Sequence, residues 1–417
     1  MSEEKAPAYK YGITGYVELH KKIAKKYSEF DQLYWLKEHA IFMYMWAYRT
    51  DNIIKYESSC ILTKTCPIKG IPKKYYETIL KRHPATLHER RLYRDGEIIQ
   101  FLLDMSSALK FLHSHNISHR DIKPSNIAIS DLGRAILIDF SHAHRMVTPL
   151  VKLDAQVVTY YYRAPEIFKY QDTGENPYDS SIDIYSLGMV LIEVLTGISF
   201  AQYYTNSIKN HDSSEHIYGL FLQNAKKSFE AIKEYFNAGK RNFVYIKQYW
   251  EWIVKMIANE PGNRITAGEL YMSVKSFADK YKINYVEPTN GMEEVGMIKL
   301  EESLTETTPA QDDLKIKCIQ YLHEIRHKHR MLVDPLRITD VIRFMIKDNH
   351  ITQDNYKKQI AALAIILETV VFDGVTDFEN YGDLDCNKVK DGVIDIVRKY
   401  DQHLFGKNAI FTYICPI

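Results

Sequence analysis

Three short motifs follow one another in this chain: His119-Arg120-Asp121-Ile122-Lys123-Pro124-Ser125-Asn126, then Asp139-Phe140-Ser141, then Ala164-Pro165-Glu166. Any one of them arises easily by chance, but three in this order and spacing leave few folds open. Their chemistry also agrees. Asn126 and Asp139 carry the hard oxygen atoms that Mg²⁺ takes alongside phosphate oxygens. Asp121 is a carboxylate able to accept a proton, and Lys123 places a positive charge two residues away. The flanks fit a site held between regular elements. From Gly96 to His115 apolar residues (Ile98, Ile99, Phe101, Leu102, Met105, Leu109, Leu112) recur at helical spacing, which predicts a buried helix. Ala135-Ile136-Leu137-Ile138 predicts a short strand delivering Asp139.

In this order the motifs resemble the catalytic floor of a eukaryotic-type protein kinase. The resemblance implies that Asp121 receives the proton of a substrate hydroxyl. Lys123 neutralises charge on the γ-phosphate and marks a Ser/Thr rather than a Tyr kinase. Asn126 and Asp139 hold Mg²⁺, with ATP as the phosphoryl donor. Asp183-Ile184-Tyr185-Ser186-Leu187-Gly188 is similar to the kinase segment whose Asp bonds the catalytic-loop backbone. Arg264, in Asn263-Arg264-Ile265-Thr266, stands where kinases pair an Arg with the Glu of Ala-Pro-Glu, here Glu166. Both are expected to stabilise the fold.

Val157-Val158-Thr159-Tyr160-Tyr161-Tyr162-Arg163-Ala164-Pro165-Glu166 is similar to the cyclin-dependent kinase activation segment, V-V-T-L-W-Y-R-A-P-E. That implies a Pro-directed kinase in which Arg163 shapes the pocket, or, more plainly, an Arg163 that braces the loop. Thr159 is expected to bridge Asp121 and Lys123. Asp154 stands at the family's activating phospho-Thr. A phosphate there would pair with Arg120, so Asp154 reads either as a permanent partial substitute or as an acid in an exposed loop.

Nearer the start, Thr14-Gly15-Tyr16-Val17-Glu18-Leu19-His20-Lys21-Lys22-Ile23 resembles the family's third strand, T-G-x-V-x-A-x-K-K-I. Lys21 is then the expected ligand of the α- and β-phosphates. Leu33 to Trp46 reads as an amphipathic helix whose Glu38 pairs with Lys21. No complete G-x-G-x-x-G precedes it, so the strands and glycine loop that roof the nucleotide are expected to be missing or replaced. Ser141, where Asp-Phe-Gly is usual, removes backbone freedom. Both departures keep a rival open: a pseudokinase, binding partners through a kinase fold without catalysis.

Lys plus Arg (54) nearly equals Asp plus Glu (53), so no global charge argues for nucleic acid or membrane. The locally basic Lys73–Arg94 stretch reads as a solvated helix face or, alternatively, an acidic docking site. Five scattered cysteines suit a reducing compartment and suggest no metal site. With no signal-peptide pattern and no long apolar run, an intracellular location (cytoplasmic or nuclear) is expected.

The expected architecture is α+β: a bilobal kinase domain over 1–283, with a truncated N-lobe to about 66 and a C-lobe over 67–283. A polar, acidic linker follows over 284–313, then a small all-α domain over 314–417. Within the last, helical periods run Ile316 to Met331, Leu336 to Ile346, Tyr356 to Phe372 and Asn387 to Leu404. Gln359 to Val371 is similar to a cyclin-box helix, although Glu368 replaces its usual Lys. The resemblance implies that this domain, or a cyclin-like partner, engages the helix of Glu38. An unrelated helical extension is the alternative. Protein substrates are the remaining expected partners.

Overall fold

A computed structural model describes residues 8–291, apart from 12–14, 30–34, 36–37, 40, 43–44, 46–47, 68–69, 146–158, 169–177 and 198–242, then residues 308–329 and 339–372, with Gly392 and Ile396. The N-terminal layer is a five-stranded antiparallel sheet built from β1 (Ala8–Tyr11), β2 (Gly15–Leu19), β3 (Ile23–Glu29), β4 (Tyr56–Thr65) and β5 (Pro72–Lys81). The spatial order is β1-β2-β3-β5-β4. Period-two alternation gives the sheet two chemically distinct faces. Glu18, Lys25, Tyr27 and Lys64 share one face, where Glu18 accepts from Tyr9, Tyr27 and Lys64 and Lys25 lies 3.6 Å from Glu77. Burial raises the Glu18 carboxyl, but those three donors overcome it and hold the group at about 2. Lys26 points to the other face, towards the helix of Glu38.

This sheet corrects three expectations. The two roof strands are present as the β1–β2 hairpin, with Gly12 and Gly15 keeping the second half of the G-x-G-x-x-G pattern. The N-terminal layer ends at Lys81 rather than near 66, because β5 pairs between β3 and β4. Lys73 to Lys81 is therefore strand, not helix face.

Below the sheet, helices α1 (Asp95–Ser114), α2 (Ser181–Thr196), α3 (Ile246–Met256) and α4 (Ala267–Lys280) form the larger layer. One apolar core joins it to the first layer, running from Ile41, Phe42 and Met45 through Ile53 and Phe140 to Leu187 and Trp252. Asn52 ties the layers by polar contacts as well, donating to Ala135 O at 3.0 Å while Leu137 N donates to Asn52 O at 2.8 Å. The buried amide keeps a partner for its Nδ2.

The stretch read as the first part of a linker is also held down. Val286 N and O both bond the Gln100 side chain, at 2.7 and 2.9 Å, and Asn290–Gly291 pairs antiparallel with Arg49–Thr50. The C-terminal helices begin at Pro309, inside the segment expected to be linker: α5 (Pro309–His329), α6 (Thr339–Lys347) and α7 (Tyr356–Phe372). On α7, Ile360, Ala361, Ala362, Leu363 and Ala364 are all buried. The helix read over Asn387 to Leu404 lies outside the described residues except for helical Gly392 and Ile396.

Gly15 is required by a close approach: an added Cβ would sit 1.8 Å from the Tyr27 carbonyl oxygen. Gly15→Ala must push β2 from β3 and is expected to destabilise by about 1–3 kcal/mol, as overpacking does. At Gly96, in the first turn of α1, nothing lies within 4 Å, so Gly96→Ala should be neutral or stabilise by about 1 kcal/mol. Chemical denaturation of the two variants checks the opposite signs.

Candidate active site

Residues 119–126 leave the end of α1 through a short strand, and the loop is set by its backbone. Arg120 has φ 62°, a left-handed conformation uncommon for a side-chain-bearing residue. Asp183, at the start of α2, stabilises it by accepting from His119 N and Arg120 N, both at 2.8 Å. Burial works against the Asp183 charge, but bonding from His113 (3.0 Å) and the loop N–H groups keeps its pKa lowered. The His113 contact was not legible in sequence, because its partner lies 70 residues away.

Inside the loop the Asp121 carboxylate is the common acceptor. Its Oδ2 takes Lys123 Nζ at 2.6 Å and Asn126 Nδ2 at 2.8 Å, and its Oδ1 takes the Thr159 hydroxyl at 2.6 Å. Lys123 also donates to Thr159 Oγ1 at 2.9 Å. Thr159 thus joins Asp121 and Lys123 to the second half of the activation segment. With Asn126's amide nitrogen committed to Asp121, its Oδ1 is the atom left for a cation. Ile138 N donates to Asn126 O at 2.9 Å, which sets the residue before Asp139 against Asn126.

Asp139 also has a left-handed φ, 63°. Its Oδ1 accepts from Lys26 Nζ at 3.0 Å and from Ser141 Oγ at 2.8 Å. Lys26 simultaneously meets Glu38, 2.8 Å to Oε1 and 2.7 Å to Oε2. Phe140 N reaches Glu38 Oε1 at 3.2 Å, and its ring is fully buried against Phe42 and His119. Burial would lower the Lys26 ammonium, yet Asp139 and Glu38 outweigh it and hold the pKa above its ordinary value. Burial likewise opposes the Asp139 charge, and Lys26 overcomes it, holding that carboxyl well below the usual range.

The lysine at the centre of this site is therefore Lys26, not Lys21. Lys21 is exposed in the turn between β2 and β3, while Lys26 lies within β3 on the face towards Glu38. A signal for it was present: Ile23-Ala24-Lys25-Lys26 follows the V-A-I-K pattern of a kinase third strand.

The remaining expected residues frame the site. Arg264, fully buried, grips Glu166 with both terminal nitrogens, at 2.5 and 2.6 Å, and stacks over Tyr185. Arg120 donates to His142 O at 2.7 Å and to Tyr178 OH at 2.9 Å, a tyrosine that no sequence motif marks. Arg163 lies over the Tyr160 and Phe168 rings, 6.0 and 5.7 Å from their centroids. Asp154 and the Val157-Val158 pair lie outside the described residues.

Breaking the Arg264–Glu166 pair leaves a buried charge without its partner. Arg264→Met is expected to cost about 3–5 kcal/mol in urea unfolding, with Glu166→Met added in the same chain recovering part of the loss. A single variant within about 0.5 kcal/mol of the parent, the range of ordinary surface changes, would contradict this.

The protein kinase domain model matches residues 19–274, more than half of the chain. Cyclin-dependent kinase-like 2 of Rattus norvegicus is 32% identical over 148 residues, 34% of this chain and 28% of the relative. Its Homo sapiens counterpart is 30% identical over 148 residues, again 34% of this chain, and 29% of that protein. Cyclin-dependent kinase-like 4 of Mus musculus is 41% identical over 103 residues, 25% of this chain and 29% of the relative. The matched part thus spans less than a third of those relatives. No helix among the described residues is long and apolar enough to cross a membrane. With the family model covering β3 to β5, most of the larger layer and the site between them, the chain belongs to the protein kinase family.

Proposed function

We propose that this chain is an active Ser/Thr protein kinase, moving the γ-phosphoryl group of ATP to protein hydroxyls. The observation that carries the reading is the buried Lys26 ammonium bound to both Glu38 and Asp139, which unites sheet, helix and catalytic floor in one arrangement. Kinase catalysis requires the β3 lysine–helix glutamate pair and a correctly placed Asp139 together. A pseudokinase needs neither, so the assembled set favours the enzyme over the scaffold.

Asp121 orients the acceptor hydroxyl and takes its proton as the new P–O bond forms and the bond to the β-phosphate oxygen breaks. Lys123, tied to Thr159, steadies the charge on the transferring group. Lys26 supplies the α/β-phosphate contact expected at first of Lys21, with Glu38 as its brace. Asn126 Oδ1 and Asp139 Oδ2 are the oxygens suited to Mg²⁺, and two protein oxygens fit a cation that completes its shell with phosphate and water. When bound, Mg²⁺ would neutralise charge on the phosphates.

The relatives' names and the activation-segment resemblance support preference for Pro after the phosphorylated residue. In this reading Arg163, stacked on Tyr160 and Phe168, backs the surface that receives that residue. Asp154 would supply part of an activating phosphate's charge. The α5–α7 domain, in which α7 buries Ile360 to Ala364, would act as a cyclin-like regulator in cis, where tethering raises its effective concentration. Protein substrates complete the partner set.

The test is phosphate transfer by Lys26→Met and Lys21→Met forms. Lys26→Met is expected to lower kcat on the order of 100-fold or more, as loss of a charge-stabilising group does, and Lys21→Met to leave it within about twofold. Equal losses in both, or a greater loss in Lys21→Met, would overturn the assignment.

A further inference from the structure

Ser141 departs from the glycine of the Asp-Phe-Gly pattern, and its hydroxyl has a defined partner. It donates to Asp139 Oδ1 at 2.8 Å, the same oxygen that accepts Lys26 at 3.0 Å. Among the described residues no donor reaches Asp139 Oδ2. The carboxylate is therefore held from one side by two donors, with its second oxygen turned away from both. The backbone alone does not fix this orientation, since Asp139 sits at φ 63°, a sparsely populated conformation that needs support from its surroundings.

The two donors differ in what they can do. Lys26 is shared with Glu38 and is the group that binds phosphates in the reading above. Once Lys26 turns to a nucleotide, its hold on Asp139 weakens. The Ser141 hydroxyl, two residues away in the same chain segment, has no such competing duty. Phe140 between them is anchored by its buried ring and by its N–H to Glu38, so Ser141 and Asp139 are fixed at both ends of an immobilised residue.

We propose that Ser141 is a positioning residue that keeps Asp139 Oδ2 presented to a divalent cation, both before nucleotide binds and after Lys26 is recruited to the phosphates. The proposal rests on the reading of Asp139 as a cation ligand. Under it, the serine replaces the mobility that glycine gives with a side-chain tie, and the triplet is biased to the orientation described here. A hydrogen bond to a charged group contributes enough that its loss weakens the presented state by roughly tenfold.

The experiment uses the full chain and Mn²⁺ as probe, with binding followed by electron paramagnetic resonance in the presence of a non-hydrolysable ATP analogue. Amide exchange at 139–142 is measured on the nucleotide-free protein. Ser141→Ala and Ser141→Gly are expected to bind Mn²⁺ about tenfold more weakly and to exchange faster at these amides, and Ser141→Thr, which keeps the hydroxyl, to stay near the parent. Glycine, the usual residue at this place, serves if the alanine form misfolds. Asp139→Asn separates the two ideas. If it weakens Mn²⁺ binding while Ser141→Ala and Ser141→Gly match the parent in both readouts, the Ser141 proposal is overturned and the cation-ligand reading survives. If Asp139→Asn binds Mn²⁺ as well as the parent, the ligand reading fails and the proposal with it.

Discussion

The Lys26 ammonium, held between the Glu38 and Asp139 carboxylates, is the contact on which the site depends. Lys26 and Glu38, each costly to bury alone, become tolerable together with the half-exposed Asp139, because opposite charges within hydrogen-bond distance offset desolvation only when geometry is good. The same contact joins three separate pieces of chain. β3 brings the lysine, the helix above the core brings Glu38, and the strand Ala135–Leu137 brings Asp139. Next to it the buried Phe140 ring packs edge-on against Phe42 and His119, a low-dielectric flank that strengthens the attraction.

A second set of contacts holds the lower layer rigid enough to keep this arrangement. Asp183 fixes the loop of Asp121 through backbone N–H groups, and Arg264 fixes the end of the activation segment through Glu166. These partners lie far apart in sequence: Asp183 ties the start of α2 to the loop of Asp121, and Arg264, three residues before α4, ties that helix's approach to Glu166. The loops can therefore carry unusual backbone at Arg120 and Asp139 without losing shape. The segment from Tyr285 to Gly291 adds a further tie between layers, running from α1 and α4 to Arg49–Thr50.

Much of the lower layer was legible in sequence because its motifs are contiguous. Asp121, Lys123 and Asn126 lie within one loop, and a helical period set out α1 with error of a residue at each end. The upper layer was harder to read. Two Lys-Lys pairs, Lys21-Lys22 and Lys25-Lys26, compete for one role; the Ile23–Lys26 pattern favours the second, and strand pairing decides between them. A tight β2–β3 turn takes the first pair out of the sheet, and alternation then sends Lys25 and Lys26 to opposite faces. The basic composition of 73–94 masked β5, since the strand buries both faces at its middle, Tyr75 on one and Tyr76 and Leu80 on the other, while Lys74 and Lys81 near its ends stay exposed. His113 and Tyr178 act through partners distant in sequence, so local pattern carried no sign of them.

The central claim is that the assembled floor transfers phosphate rather than only binding nucleotide. Its most direct test is initial-rate phosphate transfer to Ser-Pro and Thr-Pro peptides by the full chain and its Asp121→Asn form, with ATP affinity measured on the same preparations. Transfer by the parent is expected, with a ~100-fold or greater loss in Asp121→Asn from removing the proton acceptor and similar ATP affinity in both. A parent that binds ATP yet transfers no faster than Asp121→Asn would contradict the claim and leave the kinase fold as a binding scaffold.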